Sequence, residues 1–381
     1  MKNTLKSLLP LAIGLLATAA SGLSAADTPQ VALTLAPSKE NPRNSEGDFV
    51  ALKDGRILFI YTHFTGGGSD HATAHLASRV SSDGGKTWSD KDKTVMENDG
   101  EQNIMSVSLL RLQDGRIALF YLRKNSNADC RPVIHFSTDE GKSWSAPTLI
   151  IGDQEIGYYV VNNDRLVQLA DGRLIFPASQ HNNPSMEKFS PYSTVHCYIS
   201  DDHAKTWRRG KGSQDGTQAE GKRTMLQEPG LVELQDGHLM MWARTDGGSQ
   251  FVCYSKDRGE TWSTFEPSSL LSPVSPASIE RLPKTKDLVV VWNDHSKIPK
   301  ELRGKRTPLS IALSKDDGKT WQPARTFYDL PTGWYCYTAI DFVGDDILLG
   351  HCAGGIPAEG SGLNVTKITR VPVKWLYAGQ K

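Results

Sequence analysis

Five times along the chain a string of eight residues recurs, with serine first, aspartate third and tryptophan last. The copies are SSDGGKTW (Ser81 to Trp88), STDEGKSW (Ser137 to Trp144), SDDHAKTW (Ser200 to Trp207), SKDRGETW (Ser255 to Trp262) and SKDDGKTW (Ser314 to Trp321). They stand about 55 to 63 residues apart, a spacing that belongs to a repeat architecture. The string reads as a clasp. Its aspartate accepts hydrogen bonds from the turn's own N–H groups, and its glycine takes the left-handed backbone position. Serine and threonine tie the two strand ends, and the tryptophan folds back to bury apolar area. This is a structural role, neither a catalytic aspartate nor a calcium loop. Two copies deviate, with Ala204 for glycine and Ser143 for threonine.

A second motif alternates with the first: LKDGRILFIY from Leu52, LQDGRIALFY from Leu112, LADGRLIFPA from Leu169 and LQDGHLMMWA from Leu234. Weaker copies begin at Leu282 and Val343. Asp-Gly between apolar runs is a hairpin signal, because these residues tolerate positive φ. Six hairpins, five of them followed by a clasp, predict an all-β chain: a six-bladed β-propeller of four-stranded antiparallel blades. The last unit lacks a clasp, so its outer strands are expected from Asn364 to Ala378. A strand around Val31 to Leu35 is expected to close the ring. Residues 27–381 read as one domain.

Residues 1–26 read differently. Lys2 and Lys6 precede an apolar stretch, Leu8 to Ala20, and small residues follow to Ala26. This is a secretory leader, too short to span a membrane, and it implies a secreted or periplasmic protein. Lys+Arg and Asp+Glu number 43 each, so no basic field invites nucleic acid. No C-x-x-C pair occurs, and His71 and His75 lack the glutamate of a zinc helix. No metal and no other cofactor is therefore expected, and a monomer is. Of the five cysteines at least one stays free, while Cys336 and Cys352 could meet across one hairpin.

The recurring strings resemble the Asp boxes, or BNR repeats, of the sialidase (neuraminidase) superfamily, and the resemblance covers nearly all of residues 27–381. It implies a tyrosine nucleophile with a glutamate partner, an aspartate acid/base and three arginines on a substrate carboxylate. The glutamate falls in QEPGLVELQDG as Glu228, and the second arginine in MMWARTDGG as Arg244. The third falls in GKRTPLSIALSKDDGKTW as Arg306, the tyrosine in YCYTAIDFVGDD as Tyr337, and the aspartate in GGGSDHATAHL as Asp70. The first arginine is missing. In NPRNSEGDFVALKDG its register lands on Ser45 and Glu46, and Arg43 lies outside it. A carboxylate, Glu46, thus takes a substrate-binding place. Arg165 offers a replacement charge, and Asn103 and Asn163 are further substrate contacts. His351 reads as a solvated histidine.

The chemistry implied is retaining hydrolysis of a terminal sialic acid, or a related acidic sugar, from a glycan. Sialic acid carries its carboxylate on the anomeric carbon, so a neutral tyrosine attacks where a carboxylate would be repelled. Asp70 as proton donor requires a pKa raised by partial burial. Three rivals stand beside this reading: a hydrolase of another sugar, a uronate polysaccharide lyase, and a carbohydrate-binding propeller without turnover.

Overall fold

The computed structural model describes residues 27–186, 188–218, 220–355 and 362–378, and the expected leader lies outside them. Almost every described residue in regular structure is in a strand, with one short helix at Val373–Tyr377. The inner strands do not alternate. Arg43–Ala51 is buried at all but its last position, as a strand covered on both faces should be. Its neighbour Ile57–Phe64 is the apolar half of the first Asp-Gly hairpin and pairs with it in antiparallel register.

Four sheets have four strands each. The first runs Arg43–Ala51, Ile57–Phe64, Ala74–Ser81, Lys93–Met96. Two more open with Gln227–Glu233 and Ser278–Arg281. The last joins Gly333–Val343, Asp346–Gly355 and Thr366–Pro372 to Gln30–Leu35, so the strand expected near residue 31 pairs with the chain's last strand. Between these lies one nine-stranded sheet where two blades were expected. The cause is local. After the turn Asp153–Glu155 the chain returns beside Asp129–Ser137, where Tyr158 pairs in parallel with Cys130 and Cys130 N–H donates to the Gly157 carbonyl at 2.9 Å. Every other strand pair in these sheets is antiparallel. Arg43–Ala51 packs against Asn103–Arg111 and against Gly333–Val343, and Gln227–Glu233, Ser278–Arg281 and Gly333–Val343 pack one on the next.

The clasps form as read. Asp83 accepts from the N–H groups of Lys86 (3.0 Å) and Thr87 (2.9 Å) and from the Thr87 hydroxyl (2.7 Å), while Ser81 Oγ accepts from Gly85 N–H at 2.8 Å. These bonds hold the Asp83 carboxyl down at about 2. The tryptophans do more than fold back on their own sheet. Trp88 sits in a cluster with Phe49 and Phe59 of its own sheet and Leu348 of the last, and Trp144 packs in the cluster that holds Leu58 and Leu119. Trp262 and Trp321 likewise pack in clusters drawn from two sheets, whereas Trp207 packs within the nine-stranded sheet.

Four opening strands carry a bulge at corresponding places: between Ser45 and Asp48, Met105 and Ser108, Gln227 and Gly230, and Cys336 and Ala339. At each bulge a non-glycine residue has positive φ: Glu46 (54°), Ser106 (62°), Glu228 (48°) and Tyr337 (56°). A bulge re-aims one side chain out of the pleat. The left-handed backbone costs about 1–3 kcal/mol per residue, which the surrounding sheet must outweigh.

Candidate active site

Those four re-aimed side chains face one cavity of about 350 Å³, whose wall also includes Asp70, Arg244, Arg306, Tyr158, Asn162, His181, Phe189 and Trp334. Tyr337 Oη donates to Glu228 Oε1 at 3.1 Å, and Arg244 Nη1 donates to Glu228 Oε2 at 2.8 Å. The Arg306 guanidinium lies 5.3 Å from the centre of the Tyr337 ring and 5.2 Å from that of Trp334, and it donates to Cys336 Sγ at 3.1 Å. Sequence positions more than a hundred residues apart are thus brought within hydrogen-bond reach.

The electrostatics divide the pair. Burial would raise the Glu228 carboxyl, but Arg244 and Arg306 outweigh it and hold the group below its ordinary value. Burial and the Glu228 charge push the Tyr337 hydroxyl well above a free phenol. At neutral pH the pair is a carboxylate and a neutral hydroxyl. A proton can pass from Tyr337 to Glu228 along the bond between them, and the guanidinium over the ring then faces the oxygen that becomes negative.

Asp70 contradicts the expectation of a raised pKa. Its side chain is 60% exposed and accepts from Arg43 Nη1 at 2.5 Å. Burial raises it, but Arg43, with Lys124 and His71, holds it below the usual range. Arg43, out of register by sequence, is a centre of the site. It is 1% exposed and also bonds Glu46 Oε1 at 3.0 Å, with its guanidinium 4.4 Å from the centre of the Phe64 ring. Its long side chain reaches two residues further than a register count allows. Glu46 lines the cavity at 5% exposure and is raised by burial despite Arg43.

Three expected substrate contacts lie off the cavity wall. Arg165 is 3% exposed and spends its guanidinium on the carbonyls of Asp164 and Ala277, both at 2.8 Å. Asn163 donates to the carbonyls of Gly47 (2.8 Å) and Tyr337 (3.1 Å). Asn103 donates to the carbonyls of Asp70 (2.9 Å) and Ala72 (2.8 Å) and so fixes the loop of the aspartate. All three join sheets or loops at the axis. His351 is not solvated: it is 1% exposed, bonded to Cys352 and Thr369, and lowered by burial to about 4. Cys336 and Cys352 do meet, as register partners, and both are free thiols.

Sequence reasoning missed Arg43, Ser106, Lys124 and the aromatic wall. Ser106 carried a signal. It stands at the same offset before Asp114 as Glu46 before Asp54, Glu228 before Asp236 and Tyr337 before Asp345. Tyr158 stands on the strand Tyr158–Val160 and Trp334 on Gly333–Val343, both away from that offset, and Phe189 lies in a loop. Among the described residues no group of three or more His, Cys, Asp or Glu could hold a metal ion, and no helix is long and apolar enough to cross a membrane.

Comparison with known proteins places this geometry. The family model of the BNR repeat-like domain matches residues 95–347. A sialidase of Paraclostridium sordellii is 28% identical over 280 residues, 65% of this chain and 65% of its own length. A sialidase of Bacteroides fragilis (strain YCH46) is 29% identical over 229 residues, 56% of this chain and 38% of its own. The chain therefore spans less than two thirds of the length of these relatives. Among solved structures, a leech intramolecular trans-sialidase complexed with 2,7-anhydro-Neu5Ac superposes with a TM-score of 0.68 at 14% identity, over 91% of this chain and 70% of the other. That likeness carries the propeller-type fold.

Proposed function

The chain belongs to the BNR repeat-like family of the sialidase superfamily, and from that premise we propose that it is an exported exo-α-sialidase-type glycoside hydrolase. The observation that carries this is the Tyr337–Glu228 hydrogen bond, flanked by Arg244 and Arg306 in one cavity. The six-bladed reading takes the nine-stranded sheet as two blades joined by the Tyr158–Cys130 pair. Residues 1–26 are the export leader, and residues 27–381 the one domain. The mechanism is a double displacement with retention. Arg244 and Arg306 grip the substrate carboxylate, a task that suits the planar guanidinium fork better than a lysine. Tyr337 attacks the anomeric carbon as Glu228 takes its proton. One of the two carboxyl groups bridged by Arg43, Asp70 or Glu46, protonates the departing oxygen and later activates water.

The test is turnover of an aryl α-sialoside. Wild type is expected to release the aryl alcohol, with the α-anomer of sialic acid as first product, and Tyr337→Phe to lose roughly a thousandfold or more in kcat. A second reading has its own support: three carboxylates, Glu46, Asp70 and Glu228, share the wall with two arginines. That balance favours a sugar with less negative charge. Inertness toward the sialoside, with turnover of an aryl uronide or a neutral aryl glycoside, would establish it.

A further inference from the structure

The cavity holds a carboxyl group that the family pattern does not use. Glu46 stands where that pattern has an arginine register, on a bulge like those that aim Glu228 and Tyr337, with its backbone held at φ 54°. Its side chain is 4% exposed and lines the same cavity. Both oxygens are placed. Oε1 accepts from Arg43 Nη2 (3.0 Å) and Ser45 Oγ (3.2 Å), and Oε2 meets Ser106 Oγ of the neighbouring sheet at 2.5 Å. Asp70, in contrast, is 60% exposed, lies on a loop and is tied to the other side of the same guanidinium.

Resting on the sialidase-type reading, we propose that Glu46 is the general acid/base of the reaction, and that Asp70 is a positioning residue that fixes Arg43. One guanidinium between two carboxylates neutralises one of them. Asp70 keeps its charge because Arg43 and the Lys124 ammonium, whose Nζ bonds the Asp70 carbonyl at 3.0 Å, outweigh its burial. The buried Glu46 keeps the proton, since desolvation penalises its charged form most. The groups facing it agree: Asp70 and Glu228 disfavour a further negative charge, and Arg43 is shared. Lys124, Cys130 and Tyr158 surround the same spot. Two carboxyl groups with environments that push them apart divide acid from base.

The proton count closes. In the first step the Tyr337 oxygen bonds the anomeric carbon and its proton passes to Glu228. The glycosidic C–O bond breaks, and its oxygen takes the Glu46 proton. In the second step water gives a proton to the Glu46 carboxylate and attacks the anomeric carbon. The tyrosyl C–O bond breaks, and Glu228 returns the proton to Tyr337.

The experiment compares leaving groups. A 2,4-dinitrophenyl sialoside leaves without protonation, and an alkyl-linked sialoside does not. Glu46→Gln is expected to lower kcat/KM on the alkyl substrate by roughly 100- to 10,000-fold and on the dinitrophenyl substrate by less than about tenfold. Azide should speed its turnover of the activated substrate. Asp70→Asn is expected to lower both substrates alike. The reverse assignment, with Asp70→Asn showing the leaving-group dependence and azide response, overturns the proposal. A titration of the wild type, with carboxyl-¹³C glutamate read by NMR, needs no variant to be active. Glu46 is expected to titrate above the exposed glutamates, and titration together with them overturns the proposal. An inert wild type whose Glu46 titrates high refutes the sialidase reading alone.

Discussion

Tyr337 and Glu228 share one hydrogen bond, and on the proposed mechanism this sets what their substitution should do. Removing either breaks the same proton transfer, so the losses should not add. Glu228→Gln is expected to cost roughly a hundredfold or more in kcat, and Tyr337→Phe/Glu228→Gln no more than the worse single variant. Steady-state kinetics on an aryl sialoside checks this, and losses that multiply would mean two independent roles. The pair, with Arg244 and Arg306, was legible because each sits at a fixed place relative to a hairpin turn or to the strand leading to a clasp. Arg43 was not, because a register count follows Cα positions and a guanidinium reaches several ångströms away from its own. Arg165 and Asn163, read as substrate contacts, instead bond backbone carbonyls of Ala277, Gly47 and Tyr337. Below the cavity a charged or amide group is worth more as a link between backbone carbonyls of different sheets than as a ligand contact.

At the scale of the element, the clasp explains both a sequence pattern and a constraint on it. Gly259 has φ +89°, and a Cβ there would meet Ile175 Cδ1 of the preceding sheet at 2.3 Å. Gly259→Ala therefore combines a strained backbone with overpacking, and is expected to cost about 2–4 kcal/mol. Denaturant unfolding followed by fluorescence measures it. The chain supplies its own comparison at Ala204, which fills the same place at φ 66° and is 4% exposed. There the methyl group is already accommodated at a left-handed backbone, so Ala204→Gly should change stability by less than about 1 kcal/mol. The hairpins and clasps were readable because each is specified within a dozen residues. The merging of two expected blades was not. It depends on a single parallel pair, Tyr158 with Cys130, set by how a short 3₁₀ turn redirects the chain.

Across the whole molecule, acid and base groups buried near the axis set the pH range of the fold. Burial, with Asp164 adding to it, pushes the Asp341 carboxyl up to about 6 against an ordinary 3.8, although the Phe342 N–H opposes this. The folded chain keeps a proton there that the unfolded chain gives up. That contribution is complete below about pH 4 and is lost as pH rises through about 6. Asp341→Asn keeps the acceptor for Phe342 and removes the charge. It should raise Tm at pH 8 by about 2–4 °C relative to wild type, with no gain at pH 4. Equal shifts at both values would deny the buried charge. His196 and His351, each lowered by burial to about 4, work in the opposite sense. Their contribution is full above about 6.5 and fades as pH falls through about 4. Taken together, the two histidines outweigh the single aspartate, so these three groups should make the fold lose stability as pH falls from about 6.5 toward 4.

The sheet that carries Tyr337 is completed by Gln30–Leu35, a segment made well before the strand it pairs with, Thr366–Pro372. A ribosome-bound chain that has just emitted its tyrosine still lacks Thr366–Pro372, so the early strand has nothing to dock on. The sheet that positions Tyr337 is therefore completed only once Thr366–Pro372 is available for the early strand to pair with.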